Sequence, residues 1–209
     1  MTSGLSIARE GFPFIVVPLV LTVAAALLGL WYVALVLLII TAFMVFFFRD
    51  PKRVPPNDPN VVVAPADGKV TRVKPVGDEV NSPTVVSIFL SPFDVHINRA
   101  PIQGKVTDVI YTRGKFLMAT NEMASLVNEQ NALTIEGEKI TVVCKQIAGI
   151  LARRVVCWKK PGDTVALGER FGLIKFSSRT DVLLPANVEI TVKEGARVRG
   201  GTTVIGRIL

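Results

Sequence analysis

The sequence predicts an all-β domain carried behind an N-terminal helical hairpin. Three observations predict it. Gly11–Phe48 runs for 38 positions without a charged residue. From Val61 onward, short β-branched runs alternate with Gly, Asp and Pro. Two of those runs recur within the chain. "APADGKVTRV" (Ala64–Val73) returns as "APIQGKVTDV" (Ala100–Val109), and "GDTVALGERFGLI" (Gly162–Ile174) returns loosely as "GARVRGGTTVIGRI" (Gly195–Ile208).

Half of the 209 residues are hydrophobic and the mean hydropathy is +0.47. The excess lies in the uncharged run. As one straight helix it would be about 57 Å long, against about 30 Å of bilayer hydrocarbon. Two helices, Phe14–Leu28 and Trp31–Phe48, fit better. Gly29 supplies the turn, and Trp31 and Tyr32 supply rings suited to an interface. Residues 1–48 thus read as a membrane-anchoring hairpin, with a single tilted span as the alternative. A cleaved signal peptide fits poorly, because the run is too long and lacks a small-residue cleavage site. Arg9 precedes the run and Arg49, Lys52 and Arg53 follow it. Basic flanks at both ends predict that both ends stay cytoplasmic.

Residues 49–60, "RDPKRVPPNDPN", hold four prolines and read as a linker. Residues 61–209 read as the β domain. "VVVAPADGKVTRV" (Val61–Val73) predicts two strands around an Asp-Gly turn. Thr84–Leu90, Lys139–Ile147, Arg153–Trp158 and Phe171–Phe176 predict further strands, and Ala119–Asn131 a helix. Repeats this short cannot bury a face alone, so they imply a pseudo-symmetric sandwich. The G-x-x-V-x-x-G pattern is similar to the hairpins of biotinyl and lipoyl carriers. The expected architecture is therefore a barrel-sandwich hybrid.

The net charge of +7 suits an anionic membrane surface, because Arg49, Lys52 and Arg53 fall at headgroup depth. No basic run with interleaved aromatics points to nucleic acid. Cys144 and Cys157 lack metal-ligand spacing and the chain has one histidine, so no metal site is expected. A cytosolic domain would keep both thiols reduced.

Several residues could carry chemistry. Asp67, in "PADGKV", reads first as a turn residue. His96, in "LSPFDVHINRAP", is the sole imidazole, so an acid–base step near neutral pH that needs one must use it. Arg113 and Lys115 in "YTRGKF", and Arg153 and Arg154 in "AGILARRV", are solvated charge or a phosphate-binding set. Ser177 and Ser178 end an apolar strand in "IKFSSRTD". They are turn caps, or hydroxyls that attack their own backbone.

"APADGKV", "LSPFDVHINRAP", "GKFLMATNE", "QIAGILARR", "PGDTVALGERFGLIKFSSRTDVLLP" and "VRGGTTVIG" together resemble the short prokaryotic form of phosphatidylserine decarboxylase. The resemblance covers nearly the whole chain, in order and spacing. It implies a proenzyme that cuts itself by serinolysis into residues 1–177 and 178–209, a heterodimer of large and small subunits from one chain. Ser178 matches the self-cutting serine, which becomes an N-terminal pyruvoyl group. That cofactor would form a Schiff base with the serine headgroup of the phospholipid and draw electrons as carbon dioxide leaves. The product would be phosphatidylethanolamine, made at the cytoplasmic face of the cell membrane. His96 would protonate the carbanion, and Asp67 matches the family's aspartate.

Two positions depart from the family pattern. Ser177 stands where glycine is usual, adding a side chain and a second hydroxyl beside the scissile bond. Cleavage is still expected at Ser178. Arg99 stands where longer members carry a second histidine, so a full Asp-His-Ser triad does not carry over. Two other readings stand beside the enzyme. One is a membrane-anchored carrier or adaptor with Lys175 near a hairpin tip. The other is a proenzyme that Ser177 prevents from maturing.

Overall fold

A computed structural model describes residues 6–77, 81–118, 123–150, 154–176 and 178–209. The chain divides into two compact units, Met1–Lys52 and Arg53–Leu209.

In the first unit, a 3₁₀ turn at Arg9–Gly11 leads into α1 (Phe12–Leu27), and α2 (Trp31–Phe47) returns. The hairpin is thus observed, its helix ends within two residues of expectation. Gly29 makes the reversal at φ +75°, a conformation that costs glycine little. Small residues, Ala25 and Ala34, are buried. The open end is tied shut by Ala8 N–H donating to Phe48 O at 2.9 Å and Asp50 N–H to Ser6 O at 2.7 Å. Gly11 permits this closure, because a Cβ there would stand 2.5 Å from the Phe48 side chain. Arg9–Leu27 is long and apolar enough to cross a membrane, and the 17-residue α2 is equally apolar but shorter.

The second unit is β-rich. In chain order it contains β1 (Val61–Val63), β2 (Gly68–Pro75), β3 (Thr84–Leu90), β4 (Ile97–Arg99), β5 (Gly104–Thr112), α3 (Ala124–Val127), β6 (Gln130–Glu136) and β7 (Thr141–Ala148). There follow β8 (Val155–Cys157), β9 (Thr164–Val165), β10 (Arg170–Ile174), β11 (Ser178–Leu184), β12 (Val188–Ile190), β13 (Arg197–Val198) and β14 (Val204–Ile208). Eight strands form one sheet in the order β13-β2-β3-β11-β7-β6-β5-β9. Two three-stranded sheets, β1-β14-β12 and β4-β10-β8, complete the unit.

The sequence repeats are visible in the pairing. Val198 and Arg197 of β13 face Gly68 and Lys69 of β2. Val165 and Thr164 of β9 face Gly104 and Lys105 of β5. The following bonds repeat as well: Gly195 N–H to Val70 O and Gly162 N–H to Val106 O, both 2.8 Å. The two "GKV" segments therefore occupy equivalent places at opposite ends of the large sheet. Each is clamped by a "G-x-x-V" segment from the other kind of repeat.

Two expectations change. The Asp-Gly segment is not a hairpin, because β1 pairs with β14 while β2 pairs with β3 and β13. Gly68 is needed there for a different reason. At φ +149° its missing Cβ would lie 2.1 Å from Phe89 O. Of the helix expected over Ala119–Asn131, residues 119–122 lie outside the described residues; the described part holds one turn, α3, and from Gln130 the chain is strand, with Asn131, Leu133 and Ile135 turned inward at period two.

Strand β11 runs through the middle of the large sheet, between β3 and β7. Six of its seven residues are buried. Val182 and Leu184 enter the main core with Val86, Ile88, Val142 and Phe171. Ser178 and Thr180 share that inward face by alternation.

Candidate active site

Ser178 is the first residue of β11. Its neighbours across the sheet are Leu90, the last residue of β3, and Ala148, the last of β7. The side chain is fully buried, and its Oγ makes no hydrogen bond to any described residue. A buried hydroxyl left this way costs roughly 1–3 kcal/mol; Ser87 Oγ in β3 is left likewise, and Ser178 differs in opening its strand. The approach is strained as well. β10 ends at Ile174 in a three-stranded sheet and β11 opens at Ser178 in the large one, so the chain changes sheets between these two strands. Within that crossing Phe176 adopts φ +60°, alone among the described non-glycine residues in the left-handed region. Such residues cost on the order of 1–3 kcal/mol and gather at functional sites. Ser177, the predicted residue on the other side of the scissile bond, lies outside the described residues. Lys175 sits in this crossing rather than at a hairpin tip, contrary to the carrier reading, because β10 and β11 belong to different sheets.

His96 is also fully buried. It extends the β4–β10 ladder, its carbonyl accepting from Ile174 N–H at 3.3 Å. That bond fixes His96 to the strand end four residues before Ser178. Its Nδ1 lies 3.0 Å from Asp94 O. A carbonyl oxygen can only accept, so this bond requires the proton on Nδ1 and leaves Nε2 as the basic nitrogen of the neutral ring.

Asp94 was not singled out from sequence. Its Oδ2 accepts from Ser91 N–H and Ser91 Oγ, both at 2.8 Å, and its Oδ1 from Arg197 at 3.1 Å. It thereby folds the Ser91–Asp94 loop between Leu90, the neighbour of Ser178, and His96. The Ser-Pro-Phe-Asp spacing is the signal that could have shown it.

Asp67 is held by Arg53 and the Gly200 backbone. Arg53 donates to Oδ2 and Gly200 N–H to Oδ1, both at 2.7 Å. The carboxylate ties the segment before the β domain to the β13–β14 turn.

The predicted cations approach the Ser178 end of the sheet through the backbone. Lys115 N–H donates to Val127 O, and Glu129 N–H to Lys115 O. Asn128 then donates to Leu117 O and, at 2.7 Å, to Ala148 O beside Ser178. Arg154 O accepts from Lys175 N–H. The side chains of Arg113, Lys115 and Arg154 are exposed, and Arg153 lies outside the described residues. Partial burial, with Glu129 nearby, raises the Tyr111 hydroxyl above its ordinary pKa, while Arg113 and Arg154 pull it down. Both guanidiniums therefore share one electrostatic neighbourhood. Exposed Phe116, Met118 and Ile150 lie on the same loops, and exposed Leu126 on α3.

A cavity of about 740 Å³ lies elsewhere, between Pro55–Val61 and the β6–β7 turn at Gly137–Ile140. Ser178 pairs with the opposite end of β7, seven residues or about 23 Å along the strand. The cavity has no part in this chemistry.

Residues 40–206 match the protein-family model described as phosphatidylserine decarboxylase, so the β domain is that of a carboxyl-removing enzyme. Proteins named phosphatidylserine decarboxylase proenzyme are similar over nearly their whole length. That of Geotalea uraniireducens is 46% identical, covering 96% of this chain and 95% of its own. That of Solibacter usitatus is 51% identical over 89% and 91%, and that of Carboxydothermus hydrogenoformans 47% over 100% and 99%. The chain belongs to the phosphatidylserine decarboxylase family.

Proposed function

We propose that this chain cuts itself between Ser177 and Ser178 and then decarboxylates phosphatidylserine to phosphatidylethanolamine. The observation that carries the reading is Ser178 itself: a buried hydroxyl with no described partner that opens β11, two residues after the strained Phe176. In the cut, Oγ of Ser178 adds to the carbonyl carbon of Ser177 and the C–N bond breaks, leaving an ester and a free amine. Loss of the Ser178 Cα proton then expels the Ser177 carboxylate. The dehydroalanine left at position 178 tautomerises to an imine, and water hydrolyses it, releasing ammonia and leaving a pyruvoyl group.

The residues present fit that group. It would begin β11 with backbone held by β3 and β7 on both sides, so its place is set before the cut. When formed, it supplies a carbonyl that withdraws the electron pair left as carbon dioxide departs. His96 holds a proton at Nε2 when charged and delivers it to the substrate carbon, with Nδ1 anchored on Asp94 O. Arg113, Lys115 and Arg154 receive the phosphodiester as point charges and forks at the rim. Phe116, Met118 and Leu126 border the same rim and suit acyl chains.

The hairpin anchors the enzyme in the membrane. Most of α1 and α2 is bare hydrocarbon, with Val20 60% and Leu27 83% exposed, far more than a water-facing surface carries. Basic flanks at both ends, Arg9 and Arg49 with Lys52 and Arg53, support a β domain on the cytoplasmic side.

The test is carbon dioxide release from phosphatidylserine in mixed vesicles. Wild type should turn over, and Ser178→Ala should remain uncut and inactive. Turnover by an uncut Ser178→Ala chain would refute the reading.

A further inference from the structure

We propose that Thr180, Asn98 and Gln146 form a positioning unit that sets the separation of β11, which Ser178 opens, from β4, which His96 immediately precedes. The inference rests on the reading above and adds residues that none of its steps uses. Asn131 Nδ2 donates to Gln146 Oε1 at 3.2 Å. Gln146 Nε2 donates to Asn98 Oδ1 at 2.8 Å. Asn98 Nδ2 donates to Thr180 Oγ1 at 2.9 Å. All four residues are buried, and three of them completely. Every bond runs in the same donor-to-acceptor sense, so each polarises the next.

The unit joins the sheets at the right place. Gln146 faces Thr180 across β7 and β11. Its amide leaves the large sheet to reach Asn98 on β4 and Val156 O on β8, the latter at 3.3 Å. Gly172 of β10 makes room for it: a Cβ there would stand 2.6 Å from Gln146 Nε2 and 2.4 Å from Val156 O. Thr180 is two residues after Ser178, and Asn98 two residues after His96. At period two both steps return to the same face, about 6.6 Å along. The Thr180–Asn98 bond therefore ties together the two chain segments that carry Ser178 and His96. No backbone ladder joins β4 to β11, so this side-chain rung sets their spacing. Burying neutral amides carries a cost that leucine or valine would avoid, and the gain is a defined register between two sheets.

The experiment follows self-cleavage by gel, then kcat and KM on the processed enzyme, beside thermal melting. Thr180→Val keeps the volume and removes the acceptor. It should slow cleavage and lower kcat on the order of ten- to a hundredfold, as misplacement of reacting groups by about an ångström does, with KM unchanged. Thr180→Ser should restore both. Asn131→Ala removes only the far link and should lower the melting temperature without lowering kcat. If Thr180→Val fails to fold, Gln146→Met releases Asn98 and should give the same kcat loss. A folded Thr180→Val or Gln146→Met with wild-type cleavage and kcat overturns the inference, as does an equal kcat loss in Asn131→Ala. A wild-type chain that is itself never cut would instead fail the underlying reading.

Discussion

Asp181→Ala, made in the uncut Ser178→Ala background, should be among the most destabilising single changes in the β domain. Arg179 and Asp181 lie two residues apart on one face of β11, at 3% and 5% exposure. Arg179 Nη2 donates to Asp181 Oδ2 at 3.0 Å, while Nε approaches Oδ1 at 2.9 Å but is poorly aligned. Removing the carboxylate takes the Asp181 charge away from a guanidinium that stays buried in the middle of the sheet. Breaking a buried pair this way costs about 3–5 kcal/mol. At about 2–4 °C per kcal/mol for a chain of this size, the melting temperature should fall by about 6–20 °C. Replacing both partners, Arg179→Met with Asp181→Leu, removes both buried charges and should recover most of the loss. Tryptophan fluorescence in detergent, with Trp158 in the β domain and Trp31 in the hairpin, follows the melting of all three chains. A loss under about 1 kcal/mol in Asp181→Ala would refute the reasoning, since it would mean that water or another group takes over the guanidinium.

His96→Ala should still give two fragments on a gel but lose turnover by about 10²–10⁴-fold, the usual worth of one general acid; an uncut chain of normal fold would assign His96 to cleavage instead. Burial raises both thiols, Cys144 strongly and Cys157 less. The native state then binds these protons more tightly than the unfolded chain. Their contribution to stability is complete below the ordinary thiol value of about 8.5 and declines as pH rises above it. Iodoacetamide at pH 7.5 should accordingly react slowly with native protein and rapidly with both cysteines after denaturation. In sealed vesicles made with the cytoplasmic side out, protease should digest the β domain. Its protection would overturn the orientation inferred from Arg9, Arg49, Lys52 and Arg53.

Much of the fold was legible because its signals are local or repeated. The uncharged run with Gly29 at its centre gave the hairpin. The twin "GKV" segments fixed two equivalent sheet ends. Asp67-Gly68 misled because the same dipeptide serves a two-residue turn and a close crossing, and only the pairing of β1 with β14 decides between them. Residues 119–131 carry helix-forming types, yet Asn131, Leu133 and Ile135 are drawn into the sheet, where burial outweighs propensity. At the site, Ser178 and His96 stood out by chemistry, one as a serine at a strand end and one as the sole imidazole. Asn98, Gln146 and Thr180 did not, because their bonds span 82 and 48 residues of sequence. Ordinary polar residues betray nothing until two sheets bring them together.

The central claim is the bond that breaks, and intact mass spectrometry of the purified protein tests it most directly. The account predicts two chains, residues 1–177 and a 32-residue piece beginning at position 178. The small piece should resist Edman degradation and gain two hydrogens on borohydride treatment, as a terminal ketone does. Ser177→Gly should leave the fragment masses set by the same bond and cut at least as fast. A small fragment longer by one serine would move the nucleophile to Ser177. A single uncut chain of 22.7 kDa would contradict the account outright.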